Sequence, residues 1–546
     1  MDDSNRPHGF TTRMESRSLG SAIRGQEIMA GRLGPTGGDP AGDPFAEPAR
    51  DAHHAAELHG FGWLDDLAAV GQPRARELAQ GWVLGWIAAH PTPPQEPDGA
   101  VWRADTCGRR VLRWIFHAGQ ILPGLDRAAA QPVFDSLHAQ LAFLARVEAP
   151  AGRARIEALS AQAIAAMRLR GAEAAVAPAL DRLSGDAASS IAGPVMRSRC
   201  PEELSACLTL LGWVKDAAGD TGHDLPAEIS RMIEEIAPML RALRHADGGL
   251  PRFHGGGRGV AGRLDYGLRA ATGPAATATG QIMGFARLAR ARATVMLDAA
   301  PPPAGPAATH AHASTLGMEF TSARHPVVIS CGPGRMFGPD WARASRATAC
   351  HSTLCLSGQS SARLLPPDSA GNERLTLLPQ RVWAGACDEE GNLLPPDTPP
   401  PRLPQTVLAG HDGWQGSHGL SHLRELVLSP DGDALRGEDM LAALDEKSRA
   451  ILDRILAAQG GVGFEIRFHL HPDVTVRTEG DAVTLHLPGE TWCFRHDGVA
   501  ALRLEPTAYL EAGQPEPLAA TQIVLGHSLT EPAVQIGWTF IRAGAS

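Results

Sequence analysis

Two stretches of this 546-residue chain gather side chains able to move protons and hold anions. The first, Arg241 to Arg269, carries Arg241, Arg244, Arg252, Arg258, Arg263 and Arg269 against Asp247 and Asp265, with His245, His254 and Tyr266 among them. Its glycine run, Gly255 to Gly257, lets backbone approach a bound molecule closely because no Cβ intervenes. The second, Ala344 to Ala362, holds His351 among Arg343, Arg346 and Arg363, and no acid occurs from Trp341 to Arg363. Arginine forks match carboxylates and sulfates, and histidine exchanges protons near neutral pH. The chemistry these types allow is acid–base work on an anionic ligand. The plainer alternatives are a glycine-rich loop with solvated arginines, a phenol packed with its hydroxyl satisfied, and a strand-end histidine bonded to backbone.

Composition narrows the classes. A formal net charge of −10 argues against a general nucleic-acid binder, so any polyanion would have to meet a local basic cleft. Lys215 and Lys447 are the chain's lysines; the arginine bias beyond them fits coding preference as well as anion binding. Eight cysteines without a CxxC pair read as reduced thiols. The N-terminal residues hold no apolar core of signal-peptide type, and no stretch approaches about twenty uninterrupted apolar residues, so the expectation is a cytoplasmic protein without a transmembrane segment.

The elements that must position these residues fall into two halves. Residues 1–50, with Gly31 to Pro44 rich in glycine and proline, read as a disordered lead-in. Residues 51–278 repeat apolar positions at helical spacing, as in Ile229, Met232, Ile233, Ile236 and Leu240, and paired helices with short loops suggest an incomplete α/α toroid or a solenoid. Within 279–546 the period falls to two. Phe464, Ile466, Phe468 and Leu470 alternate with Glu465, Arg467, His469 and His471, and Glu479-Gly480-Asp481 marks a hairpin. Many such strands make an antiparallel β-sandwich, with proline-rich loops at 299–307 and 394–404.

Helical half, then β half, together with His59 to Leu67, Cys107 to Ile115, His245 to His254, Gly410 to Trp414, Arg436 to Asp439 and Arg467 to Pro472 in that order, resembles the heparinase II/III-like polysaccharide lyases. The resemblance implies an α/α toroid followed by a β-sandwich, β-elimination on an acidic, uronate-containing polysaccharide, no organic cofactor, and a periplasmic or cell-envelope location at odds with the N-terminus. Such elimination needs a neutralised carboxylate, a base for the C5 proton and an acid for the departing oxygen. On that basis His254 or His245 neutralises the carboxylate, Tyr266 is base or acid, His351 is a second base, and Arg252, Arg258, Arg263, Arg343, Arg346 and Arg363 bind substrate.

Two positions depart from the pattern. Gly284-Phe285 stands where relatives have Gly-Tyr, and Thr353 stands where lyases often carry a second histidine that helps hold a structural zinc. A phenylalanine transfers no proton, so a non-catalytic glycan-binding or envelope-associated protein on the same scaffold is the alternative. His411, Asp412, His418, His422, His469 and His471 lack compact metal-ligand spacing, and no metal is expected. No dinucleotide, phosphate-loop or nucleophile-elbow motif occurs. Asp65 and Asp66 would suit a hydrolase, but their place early in a helix favours a structural role.

Overall fold

The structure, a computed structural model, describes residues 7–11, 19–32, 42–46, 49, 52–97, 99–368, 373–387, 394, 405–514 and 516–544. Most of the Gly31–Pro44 stretch, and all but residue 394 of the 394–404 loop, lie outside the described residues. The chain divides into two compact units. One takes Met1–Met196, Glu203–Ala237 and Val260–Ala275; the other takes Arg197–Glu202, Pro238–Gly259 and Ala276–Ser546. A single cut at 278/279 therefore misses two segments that belong with the β half. The reason is visible at Arg199, whose guanidinium donates to the carbonyls of Met283, Gly284, Ala300 and Pro301.

In the helical unit, buried tryptophans at the helical period set the packing. Trp63, Trp82, Trp86 and Trp114 meet Phe61 or one another edge-on or tilted. Arg110, fully buried on the helix Ala104–Phe116, lays its guanidinium 4.1 Å from the Trp86 ring and donates to Gln140 Oε1 and to the His59 carbonyl. The cation is held by π-faces and oxygens in place of water.

Asp65 and Asp66 do have structural roles. Asp65 accepts from Arg113 at 2.9 Å and pairs with His117 at 2.8 Å. Asp66 accepts from the Ser21 backbone at 2.8 Å and from Arg24 at 2.9 Å. That second carboxylate corrects the reading of 1–50 as wholly disordered, because Ala22–Met29 is a helix, α1, whose Ser21 N-cap accepts from the Arg24 amide. Gly25 permits the approach: a Cβ there would sit 2.3 Å from the Asp66 carbonyl oxygen. What reads as flexible punctuation is a close helix contact.

The β unit holds two eight-stranded sheets, antiparallel throughout their pairings, and a small two-stranded one. The first sheet begins with β1 (Phe285–Arg290), β2 (Ala293–Asp298), β3 (Met318–Ser322) and β4 (His325–Ile329), then continues through Val462–Leu470, Leu518–Leu529 and Ala501–Tyr509. The second runs from Thr475–Glu479 through Ala533–Arg542 to Val382–Ala386. Alternate residues of both sheets face one core. Phe320 meets Trp492, and Phe468 meets Phe494, Trp538 and Phe540, at ring separations from 4.7 to 5.6 Å. Phe464, Ile466, Phe468 and Leu470 all lie in it, as their alternation predicts. Helices also occur in this unit. Glu446–Gln459 is a helix capped by Asp445 and ended by Gly460 in the left-handed region.

Inside this core sits a charged group with zero exposure. Arg424 makes a two-pronged pair with Asp439, at 2.7 and 3.0 Å, and donates to the carbonyls of Leu316 and Ser352. Asp439 also accepts from Trp538 Nε1 and pairs with His422. Removing one partner strands the other charge away from water. Asp439→Ala is expected to lower the unfolding free energy by about 3–5 kcal/mol in urea titrations. The double change Arg424→Met, Asp439→Leu is expected to recover most of that loss; equal losses in the two proteins would contradict this account of the pair.

Candidate functional site

The β unit brings His254, His312 and His351 together. His254 follows Phe253 in a turn where Gly256 donates back to the Phe253 carbonyl, and its own backbone is left-handed at φ 50°. His351 follows a short turn, Thr348–Cys350. His312 lies in the loop between β2 and β3. Its amide donates to His254 Nδ1 at 3.2 Å, and its Nδ1 shares a proton with His351 Nε2 at 3.2 Å.

Behind them is Asp298, at the end of β2. Its carboxylate is 3.4 Å from His254 Nε2, receives Ser314 Oγ at 2.6 Å and pairs with Arg199 at 2.5 Å. Burial works against its charge, but Arg199 and His254 outweigh burial and hold Asp298 well below the usual carboxylate range. Phe253 stacks on both Phe285, at 5.3 Å, and His351, at 6.0 Å.

This cluster is packed away from solvent. His351 has zero exposure, and His254 and His312 are nearly as buried. Burial pulls His351 down to about 3 and His312 well below its ordinary value, with neighbouring imidazoles adding to the latter. The lowered pKa values favour the uncharged ring in each case. A base whose conjugate acid forms only near pH 3 is also far from the match that general-base catalysis wants. The glycine run serves packing too, since a Cβ at Gly256 would lie 2.8 Å from Cys200 Sγ and the Gly257 amide binds Glu202. Phe285 is in the core of this assembly, 5.0 Å beneath the Arg199 guanidinium. Gly284 precedes it at φ 79°, where a Cβ would strike Ala300 and Arg199.

Most of the other proposed residues have partners of their own. His245 belongs to a cleft of about 300 Å³ with Arg252, Arg258, Glu319, His471 and Tyr509. It pairs with Glu319 at 3.2 Å and with Thr321. Arg252 lies 4.1 Å from the Tyr509 ring and pairs with Glu511, while Arg258 pairs with Asp247. Tyr509 donates its hydroxyl to Glu511 at 2.7 Å and meets His471 Nε2 at 3.3 Å. Burial raises its pKa further above the phenol range.

Arg343 pairs with Glu373, and Arg346 spends its guanidinium on the carbonyls of Ala308, Ala311 and Glu373. Arg363 is exposed on the two-stranded sheet. Arg263 and Tyr266 belong to the helical unit, where the Tyr266 hydroxyl donates to Asp216 at 2.6 Å. Thr353 is fully buried, and among the described residues no group of three histidine, cysteine or acidic side chains is placed to hold a metal. Sequence reasoning missed His312 and Asp298. The alternation of His310 and His312 just before β3 is the one local sign of the former.

The fold and the histidine cluster point to one class of protein. Residues 272–539 match the family Heparinase II/III-like, C-terminal. Solved structures agree in fold. "Crystal Structure of Heparinase III" superposes with a TM-score of 0.67 at 12% identity, over 98% of this chain and 88% of that one. The heparan sulfate lyase HepC from Pedobacter heparinus gives 0.52 at 14% identity, over 99% and 85%. A curated relative is FtsZ-localized protein C of Caulobacter vibrioides, 29% identical over 574 aligned positions that span 98% of this chain and 91% of the relative.

The buried imidazoles set a pH dependence. Their folded pKa values lie below the unfolded value near 6.5, so the unfolded chain takes up protons that the folded chain refuses. Stability is complete above about pH 6.5 and falls as pH drops toward the folded values, by about 1.4 kcal/mol per pH unit for each such ring. His351→Gln is expected to flatten the slope of unfolding free energy between pH 6.5 and 5 by that amount. Parallel slopes in the two proteins would contradict a neutral, buried His351.

Proposed function

We propose that this chain is a heparinase-type scaffold that has kept the lyase fold without the elimination chemistry and works as a binding protein associated with the division protein FtsZ. The observation that carries the first part is the closed histidine cluster. His254 and His351 are where the resemblance puts a neutraliser and a base, yet they bond to Asp298, His312 and each other's neighbours rather than facing solvent. Elimination needs both groups against the sugar, within hydrogen-bond reach of the C5 proton and the carboxylate. Phe285 removes a hydroxyl at the position where relatives carry tyrosine, and Arg252, Arg258, Arg343 and Arg346 already have partners inside the protein. The association with FtsZ rests on the relative's name and on an alignment that spans nearly the whole of this chain.

A second reading keeps the enzyme. It draws on the convergence of His254 and His351 beside an ionised Asp298, and it takes an acidic, uronate-containing polysaccharide as substrate and the cell envelope as location. One pair of measurements separates the two. Purified protein incubated with a panel of uronate polysaccharides is expected to give no rise in absorbance near 232 nm, and to co-sediment with assembled FtsZ. A rise that His351→Ala abolishes would overturn the proposal in favour of the lyase. No rise and no co-sedimentation would remove the FtsZ part.

A further inference from the structure

A second cleft of the β unit, about 590 Å³, has a composition unlike the first. Leu243, Ile282, Phe285 and Met296 wall it, and Thr277 and Thr279 also line it. A single charged residue faces it, Arg287. The strand β1 explains the placement. Ala286 and Leu288 turn into the sandwich core, so Phe285, Arg287 and Ala289 turn the other way, with Arg287 directly across from Met296 of β2. Among the described residues β1 is the edge strand of its sheet.

Arg287 differs from six other arginines of this unit. Arg199, Arg252, Arg258, Arg343 and Arg424 each have a carboxylate, and Arg346 has three carbonyls. Arg287 has no acid partner among the described residues, and its Nε is buried without an acceptor. A half-buried guanidinium without a counter-charge is costly in a monomer, since burial weakens its hydration and nothing replaces it. Beside it, Gln405 Oε1 is taken by the Ala289 amide at 2.5 Å, which leaves the Gln405 NH2 as a further donor to the cleft. Donors thus converge on one side and apolar surface on the other.

We propose that this cleft binds a small carboxylate with an apolar body, the carboxylate pairing with Arg287 and the apolar part lying against Leu243, Ile282, Phe285 and Met296. One guanidinium with hydroxyl and amide donors, and no second cation, matches a single negative charge better than a phosphate monoester's nearly doubled one. The site is independent of the FtsZ association and of the histidine cluster's chemistry.

Calorimetric titration of the full chain tests it, with octanoate as probe and n-octanol, inorganic phosphate and octyl phosphate as comparators. Octanoate is expected to bind at one site per chain, at least tenfold more tightly than n-octanol or inorganic phosphate and more tightly than octyl phosphate. Arg287→Met is expected to weaken octanoate at least tenfold without loss of folded signal, because it removes an unpaired charge. Met296→Glu gives Arg287 an internal acid from across the strand pair and is expected to abolish binding by a second route. Octanoate binding unchanged in either variant, or no octanoate binding to the native chain, would overturn the site. Tighter binding of octyl phosphate would overturn the carboxylate assignment.

Discussion

Much of the β unit's first half is organised around one buried ion pair, Arg199 with Asp298. Two charges at near-zero exposure are tolerable only when every remaining lone pair and proton finds a partner. Arg199 satisfies its other donors on four backbone carbonyls, which pins the chain entering β1 and the chain leaving β2. Asp298 satisfies its oxygens with Ser314 and with the approach of His254. The left-handed backbone at Gly284, His254 and Arg199 itself follows from this demand, because each turn brings a polar group to the pair. Arg199 thereby explains why a piece of the helical sequence belongs to the β unit.

A histidine cluster built on such an anchor is specified in position but not free to act. His312 bridges the other two rings, Phe253 and Phe285 fill the space beside them, and burial keeps the imidazoles neutral. In a lyase the same positions must exchange protons with a sugar and stabilise charge that develops in the transition state. Here the rings contact one another and Asp298 before any ligand arrives, while His254 Nε2 and His351 Nδ1 are buried without a hydrogen-bond partner among the described residues. The fold is that of heparinase III, while the relative that aligns over nearly the full chain carries a name taken from FtsZ rather than from a glycan. On the proposed reading fold and chemistry separate, since sites are built on scaffolds and can be lost from them.

Patterns of local period were legible in the sequence. The alternation from Phe464 to Leu470 and the stripe from Ile229 to Leu240 depend on neighbours a few residues apart, and both stand in the structure. The pairing state of arginines was not legible. Arg252 meets Glu511 at a separation of 259 residues, and Arg199 meets Asp298 at 99, so a locally basic stretch says nothing about whether its charges are free. His312 and Asp298 escaped notice for the same reason, and α1 did because Gly20 and Gly25 read as loop when they serve close contact with the chain at Asp65 and Asp66. The departures at Phe285 and Thr353 were visible residue by residue; their meaning required seeing both buried.

The most direct test of a closed, neutral histidine cluster is hydrogen–deuterium exchange at imidazole C2, followed by mass spectrometry of the native chain across pH. The rate at each ring reports its accessibility and its titration midpoint together. His254, His312 and His351 are expected to exchange far more slowly than the half-buried His418, with no midpoint near 6.5. Exchange at His351 as fast as at His418, with a midpoint near neutrality, would mean an open, protonatable site and would contradict the account.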